Sequence, residues 1–563
     1  MLDIVRSSWG AELIHFLSKG RFFQYPEQQP GFIVPPFWHA SSTLVPDDAI
    51  IPLADINNNN LLDIEKALHK KNQVPEDSSA DSAVKSSATS ICRQKHLVDW
   101  YGPNDPENPH NWSKFKKGLV LTQVCLLSFA IYVGSAIYAP GVEQITQQFH
   151  VGEVVAILPM SLFVVGYGIS PMVFAPLSEV PAVGRNWVYM PSFLLYVILQ
   201  VPTALVNNIA GLVILRFITG LVAAPPLANG AASVGDVFNG HGVSYAIPLW
   251  AVATVFGPSM GPLIGSVFTQ VLNWRYTFWA LSWIGAVSFL FLLFLFPETN
   301  SDTILSRRAR RLRIATGDNS YSTIAEREMG SFTLSEFAKE SLTRPLVIAF
   351  LEPGVFFLNT YTALVYAVVY TFFEAFPLVF GGVYGFNLIE TGLTYSGICA
   401  GVLVGYVFYA AALKYYFLPH TDADGPPELI FYVSLYAAFL MPVSLIIIGW
   451  TSTVSVHWIV PIIGTGLFII SGFHIFQVVF TYLGLSYPRY LASTFAGNDL
   501  YRSIFAAAFP LFARAMFVKL GSEKFPVAWG NTLLAGISAL MILIPVMLLH
   551  LGARLRAVSK YAN

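Results

Sequence analysis

The sequence predicts an all-α membrane protein with 12 transmembrane helices in two pseudo-symmetric halves of six. Three observations carry that expectation. The chain of 563 residues is 55% hydrophobic and only 12% charged, with a mean hydropathy of +0.58; soluble domains carry about 25% charged residues. From Gly118 onward, apolar runs of spanning length recur, and about 20 residues suffice to cross a hydrocarbon core. Lys and Arg then alternate between loops as an inserted bundle requires.

The runs fall near 118–140, 153–176, 186–206, 209–230, 244–268, 277–297, 347–379, 391–413, 428–449, 457–483, 493–517 and 527–550. The seventh is long for one crossing, so either its start is an interfacial helix or the span is tilted. The longest polar gap, Glu298–Thr343, separates six runs from six. The expected organisation is a largely disordered N-terminal region (1–113), a six-helix half (114–297), a basic linker (298–345), a second half (346–551) and a tail (552–563).

Basic residues test that count. Lys114, Lys116 and Lys117 precede the first run, and Arg185 sits between the second and third. Arg307, Arg308, Arg310, Arg311 and Arg313 crowd the central gap. Lys414 and Arg489 follow the eighth and tenth runs, and Arg554, Arg556 and Lys560 follow the twelfth. The alternate loops hold mainly Arg275, Lys519 and Lys524. One missed span would invert every later loop, so the agreement predicts cytoplasmic termini and a cytoplasmic linker. The sequon Asn111-Trp112-Ser113 then lies inside and stays unglycosylated. Aromatic residues make up 15% of the chain, many near the ends of runs, as in interfacial belts.

The N-terminal region is polar. Asn57–Asn60 is an asparagine run, and Glu76–Ser90 has the composition of a disordered segment, with Ser78, Ser79 and Ser82 as phosphorylation candidates. Ile4–Phe23 is mildly amphipathic; a membrane-surface helix and an ordinary soluble helix or loop both fit it. The first thirty residues lack an uninterrupted apolar core, so no cleavable signal peptide is expected. A net charge of −1 points to no nucleic-acid partner. Cys92, Cys125 and Cys399 form no metal spacing, and no Gly-x-x-x-x-Gly-Lys-[Ser/Thr] loop is present, so neither a metal, a cofactor nor ATP is expected.

Four local patterns carry more. The fifth run holds Gly257-Pro258-Ser259-Met260-Gly261-Pro262-Leu263-Ile264-Gly265. Glycines at i, i+4 and i+8 line one helix face without side chains, so a neighbour approaches closely; the prolines remove backbone donors and soften the helix. After the second run comes Ala175-Pro176-Leu177-Ser178-Glu179, then Gly184-Arg185. The fourth run contains Arg216, which costs about 2.5–3.5 kcal/mol at the centre of a membrane helix and so faces water or an acid. Before the first run stands Asp105-Pro106-Glu107-Asn108-Pro109-His110-Asn111-Trp112, a Pro- and Asn-rich turn.

The glycine–proline helix resembles the antiporter signature of the major facilitator superfamily. The loop resembles that superfamily's Gly-Pro-Leu-Ser-Asp…Gly-Arg motif, with Ala175 for its glycine, Glu179 for its aspartate and Val180–Val183 lengthening the turn. The element from Asp105 to Trp112 closely resembles one found in fungal drug:proton antiporters of the 12-spanner class, with His110 where glutamine is usual. Asn273–Trp279, Pro297-Glu298-Thr299, Phe373–Pro377, Ala496–Asp499, Pro526–Gly530 and the tail Ser559–Asn563 extend the likeness from Val98 to the C-terminus, with a weak extension over Ile4–Pro36. The resemblance implies the major facilitator fold and a monomeric, non-enzymatic plasma-membrane antiporter. Such a protein exports azoles, benzimidazoles and similar small amphipathic drugs in exchange for protons, by alternating access within the lipid bilayer. Glu179 with Gly184 and Arg185 is then a conformational lock, a static surface ion pair being the alternative. Gly257, Pro258, Gly261, Pro262 and Gly265 become the moving contact of the fifth helix.

The resemblance also implies roles for single residues. Arg216, with Asp236 or Glu374, is the expected proton-coupling set, although Arg216 also suits a structural role. A central cavity lined by the first, fourth, seventh and tenth spans is expected to bind substrate, with Tyr138, Trp250, Asn359, Tyr361, Tyr370, Phe473, His474 and Gln477 as candidates. Glu352 reads as interfacial, and Asp499 with Arg502, at i and i+3, as a structural pair. Two other functions remain open: export of one endogenous secondary metabolite or polyamine, and a non-transporting membrane sensor.

Overall fold

A computed structural model describes residues 8–18, 21–29, 96–329, 334–417 and 426–562, with isolated positions 6, 32 and 419. The asparagine run, the serines at 78, 79 and 82 and Cys92 lie outside the described residues. Eleven helices among the described residues are long and apolar enough to cross a membrane. The first span occupies Lys114–Ala136, begun by Ser113, whose side chain caps Lys116 N–H. The second is Glu153–Glu179, the third Gly184–Leu205, the fifth Gly242–Val271 and the sixth Arg275–Leu295. The seventh is Pro353–Val383, the eighth Leu388–Phe417 and the ninth Pro427–Thr451. Ile459–Ser486, Leu491–Leu520 and Ala528–Val558 complete the set as tenth, eleventh and twelfth.

The fourth span is the one missing from those eleven. It consists of Ile209–Ala223 and Pro225–Val237, jointed at Ala224. Pro225 supplies no N–H but fits the first position of a helix, so a new helix starts inside the run that the sequence draws as continuous. The span therefore runs on past 230 to Val237, and Asp236 lies in its last turn rather than beyond it. The overlong seventh run resolves into a separate helix, Leu334–Leu351, an extended Glu352 and a new helix from Pro353.

The fifth span packs on the first within one half. A Cβ on Gly257 would lie 2.4 Å from Tyr132 Cβ, one on Gly261 2.9 Å from Val133 O, and one on Gly265 2.3 Å from Ile137 O. The stripe thus brings two backbones together, as its spacing predicts. The halves meet where the second span packs on the eleventh and the fifth on the eighth.

Both termini and the linker gather at one end of the bundle, called the linker end below. Part of the N-terminal region is ordered there. Helix Trp9–Leu17 lays Trp9 edge-on against Trp187, with ring centroids 5.8 Å apart, and pairs Glu12 with Arg307. The linker helix Ser301–Thr316 buries Arg308, which binds Asp105 (2.7 and 3.1 Å) and Glu107 (2.9 Å). Arg311 binds Glu27 (3.0 Å) and Glu107 (3.0 Å). Partners spread over this much sequence leave no local signal, so the region's polar composition alone read as disorder.

Candidate functional site

Midway along the seam, hydroxyl groups from three spans converge. Tyr167 of the second span lies 2.6 Å from Tyr366 and 3.1 Å from Tyr370 of the seventh, oxygen to oxygen. Tyr370 donates to Ser135 Oγ of the first span at 3.2 Å. A buried Tyr hydroxyl needs a partner, and here the partners belong to the opposite half. The Tyr132 ring meets Tyr167 at 5.9 Å.

The eleventh span adds charge to this cluster. Arg502 Nε donates to Asp499 Oδ1 at 2.8 Å, and its Nη2 reaches the same oxygen. The guanidinium carbon stands 5.2 Å from the Tyr366 ring centroid and 5.7 Å from that of Phe476. Tyr132 of the other half is a further electrostatic neighbour. Asp499 Oδ2 is buried without a hydrogen-bond partner among the described residues.

At the end opposite the linker, polar contacts join the halves again. Arg514 pairs with Glu153 at 2.8 Å, and Ile389 N–H donates to Gln270 Oε1 at 2.9 Å. Glu374 is buried, with Glu153 and Arg514 as its charged neighbours. At the linker end, Arg185 Nη1 donates to Ser178 Oγ (2.6 Å) and lies 3.9 Å from Glu179, while its Nε donates to Asp236 Oδ2 (3.3 Å). Glu298 accepts the backbone N–H of both Arg185 and Asn186 at 3.1 Å, holding the start of the third span. Gly184 sits at φ +78°, and a Cβ there would fall 2.5 Å from Glu298 Oε2. Only glycine suits both demands.

The structure does not bring Arg216, Asp236 and Glu374 together. Arg216 is fully buried; its Nη2 donates to Gly134 O at 2.7 Å, and it lies over the Phe163 ring at 4.2 Å. Its Nε and Nη1 have no hydrogen-bond partner among the described residues. Asp236 answers Arg185 instead, because the fourth span carries it about 30 Å of helix rise beyond Arg216.

Of the eight substrate candidates, Tyr370 takes part in the cluster that bridges the halves. Tyr138 donates to Ala156 O (2.6 Å) inside the first half, and Trp250 donates to Ser128 Oγ (2.9 Å) there. Asn359 accepts from Asn498 at 2.8 Å inside the second half. His474 packs on Tyr409 and Tyr436, and Phe473 on Tyr409, between the eighth, ninth and tenth spans. Tyr361 and Gln477 are buried. Sequence reasoning singled out Phe476 but passed over Tyr132 and Tyr167 at the seam. The available signal was a Tyr hydroxyl at mid-span, which an apolar neighbour leaves unsatisfied.

Residues 124–510 match the family described as the Major Facilitator Superfamily. The chain is 44% identical over 486 residues to Multidrug transporter FLR2 of Candida glabrata, covering 86% of this chain and 82% of that protein. It is 42% identical over 467 residues to Fluconazole resistance protein 1 of Saccharomyces cerevisiae, covering 83% and 85% respectively. It is 38% identical over 570 residues to the Cycloheximide resistance protein of Candida maltosa, covering 100% of both. With its helical bundle in two contacting halves, this chain belongs to the Major Facilitator Superfamily.

Proposed function

We propose that this protein exports structurally diverse amphipathic drugs, azoles and benzimidazoles among them, from the cytoplasm across the plasma membrane in exchange for protons. The two halves, bounded near 114–297 and 346–551, alternate access to a shared site as a monomer, with the linker end in the cytoplasm. The observation that carries the reading is the seam cluster of Tyr167, Tyr366 and Tyr370, joined to Ser135 and capped by Arg502. Aromatic faces with polar tips suit planar apolar and cationic compounds without fixing one shape. The names of the relatives, a multidrug transporter and two resistance proteins, point to the same class of cargo.

Within this reading, Glu374 is the acid placed to sense the far end, beside the Glu153–Arg514 pair that spans the halves. Arg185 with Asp236 and Glu179 forms the lock at the linker end. Arg216 ties the first span to the fourth, and two of its nitrogens stay buried among the rings of Tyr138, Phe163 and Phe278 without a hydrogen-bond partner among the described residues. The test is efflux of a fluorescent drug from transporter-deficient yeast expressing the full chain, with and without a protonophore. Protonophore-sensitive efflux is expected. Efflux indifferent to the proton gradient refutes the coupling, and absence of drug efflux from surface-located protein favours an endogenous cargo.

A further inference from the structure

We infer that Asp499 is a proton-binding group that competes with cationic cargo at the seam, rather than the passive half of a structural pair. The inference rests on the proposed antiport. Asp499 lies eight residues into the eleventh span, which begins at Leu491, about 12 Å along the helix and so within the hydrocarbon layer. A carboxylate there is costly unless it is paired and hydrogen-bonded. Arg502 satisfies one oxygen, Oδ1, and leaves Oδ2 buried with no partner among the described residues. An oxygen in that state is a ready acceptor for a proton.

The position also makes the charge matter to both halves. At this level the second and eleventh backbones nearly touch, since a Cβ on Gly168 would meet Ser503 Cβ at 2.4 Å. Arg502 is bounded by Tyr366 and Phe476 of its own half and by Tyr132 of the other. No third charge among the described residues neutralises the pair. On the second span, Glu153 and Glu179 lie at the two ends, beside Arg514 and Arg185. On the seventh span, Glu374 stands near Arg514 at the far end. The fourth span offers Asp236, held by Arg185. In helix Leu334–Leu351, Arg344 lies over Tyr490, and Pro345 and Ala349 face Gly497. The twelfth span is uncharged over Ala528–Met541, and the tenth turns His474 toward Tyr409 and Tyr436.

Midway along the seam the described residues therefore hold one carboxylate and one guanidinium, with a net charge of zero. Protonating Asp499 Oδ2 removes the negative charge and leaves Arg502 as an uncompensated cation beneath the tyrosines. A cationic drug entering the same cluster is then repelled. Two like charges about 5 Å apart at an effective dielectric near 20 weaken each other's binding by roughly two orders of magnitude. The site thus accepts a proton or a cation but not both, which is the thermodynamic requirement of exchange.

The test uses inside-out yeast membrane vesicles carrying the full chain, with an acid lumen and tetraphenylphosphonium as a permanently charged aromatic probe. Asp499→Asn is expected to lower gradient-driven accumulation by about tenfold or more. Equilibrative exchange of the preloaded cationic probe should weaken as well, because Asn leaves Arg502 uncompensated, whereas exchange of a neutral azole should continue. Wild-type accumulation in Asp499→Asn vesicles overturns the inference while leaving the exporter reading intact. Wild-type vesicles that ignore the gradient sink the exporter reading, and this inference with it. If Asp499→Asn does not assemble, probe affinity of the purified wild-type protein decides. Affinity that falls from about pH 8 to about pH 5 supports competition at the site, and affinity flat across that range overturns it.

Discussion

We predict that Arg308→Gln releases the ordered N-terminal region from the linker end. Arg308 is fully buried and contacts three acids: Asp105 through two bonds, Glu107 through two, and Glu27 at 3.7 Å. Its guanidinium also lies 4.1 Å from the Tyr101 ring centroid. Glutamine removes the charge and leaves Asp105 and Glu27, both buried, with Arg311 as the main compensating cation. Removing one partner of a buried ionic cluster costs about 3–5 kcal/mol. That exceeds what a short docked segment retains, so residues 8–29 and 96–112 should detach while the twelve spans persist. Hydrogen exchange on detergent-solubilised protein reads this directly: amides in those two stretches should lose protection by about 100-fold or more. Arg308→Lys, which keeps charge but not the two-pronged geometry, should fall between. Unchanged protection in Arg308→Gln refutes the clamp.

The same cluster fixes the sign of its pH response. Burial alone pushes the Asp105 carboxyl up; the hydrogen bonds from Arg308 and the backbone N–H of Tyr101 and Glu107 overcome it and hold it below its ordinary value. Burial likewise pushes Glu27 up, and Arg311 with the Tyr101 hydroxyl brings it below the usual range. A carboxyl whose folded pKa is depressed stabilises the fold above its unfolded pKa and loses that contribution as pH falls through the folded value. Docking should therefore be constant from pH 7 to about 5 and weaken only below about pH 4. Loosening between pH 7 and 6 would contradict it.

Three further outcomes are expected. Gly265→Ala places a methyl 2.3 Å from a backbone oxygen of the first span, costs about 1–3 kcal/mol in overpacking and should cut drug efflux severalfold; Gly235→Ala, with nothing within 4 Å of its Cβ, should leave efflux unchanged. Gly184→Ala forces φ +78° and a contact with Glu298, so the melting temperature of purified protein should fall by an amount matching about 1–3 kcal/mol. Glu153→Arg should slow efflux severalfold by placing two cations at the far end of the seam, and adding Arg514→Glu should restore it; failure of the double exchange to recover would remove the pair from the conformational cycle.

Span positions were legible because the bilayer imposes length and apolarity on every crossing helix, whatever its neighbours. The joint at Ala224 was not legible, because a proline inside an apolar run is equally compatible with a kink and with the first turn of a new helix. The glycine stripe announced a close neighbour without naming it; that the first span fills the role depends on tertiary packing. Asp236, just past the fourth run as the sequence draws it, was matched with Arg216; the span in fact runs on to it, yet helix rise separates the two and sets Asp236 beside Arg185. The seventh span offered nine aromatics on several faces, and only contact with another span distinguishes Tyr366 and Tyr370 from those that pack within a half.

The distribution of polar contacts supports motion at the seam. Within each half, the joins are buried: glycine stripes against backbone, Asn498 on Asn359, Arg216 on Gly134 O. Breaking either hydrogen bond strands a polar group in a dry interior, at about 1–3 kcal/mol each. Between the halves, the far-end pair of Glu153 and Arg514 is 41% and 44% exposed, so its loss costs about 0–1 kcal/mol, with solvent taking over as partner. Tyr167, Tyr366 and Tyr370 likewise exchange one hydroxyl for another, or for water, when the seam opens. Each half is thus far harder to deform than the seam is to part. Two rigid halves with a wettable seam meet the mechanical requirement of alternating access, and Asp499 stands at the place where a single proton changes the charge of that seam.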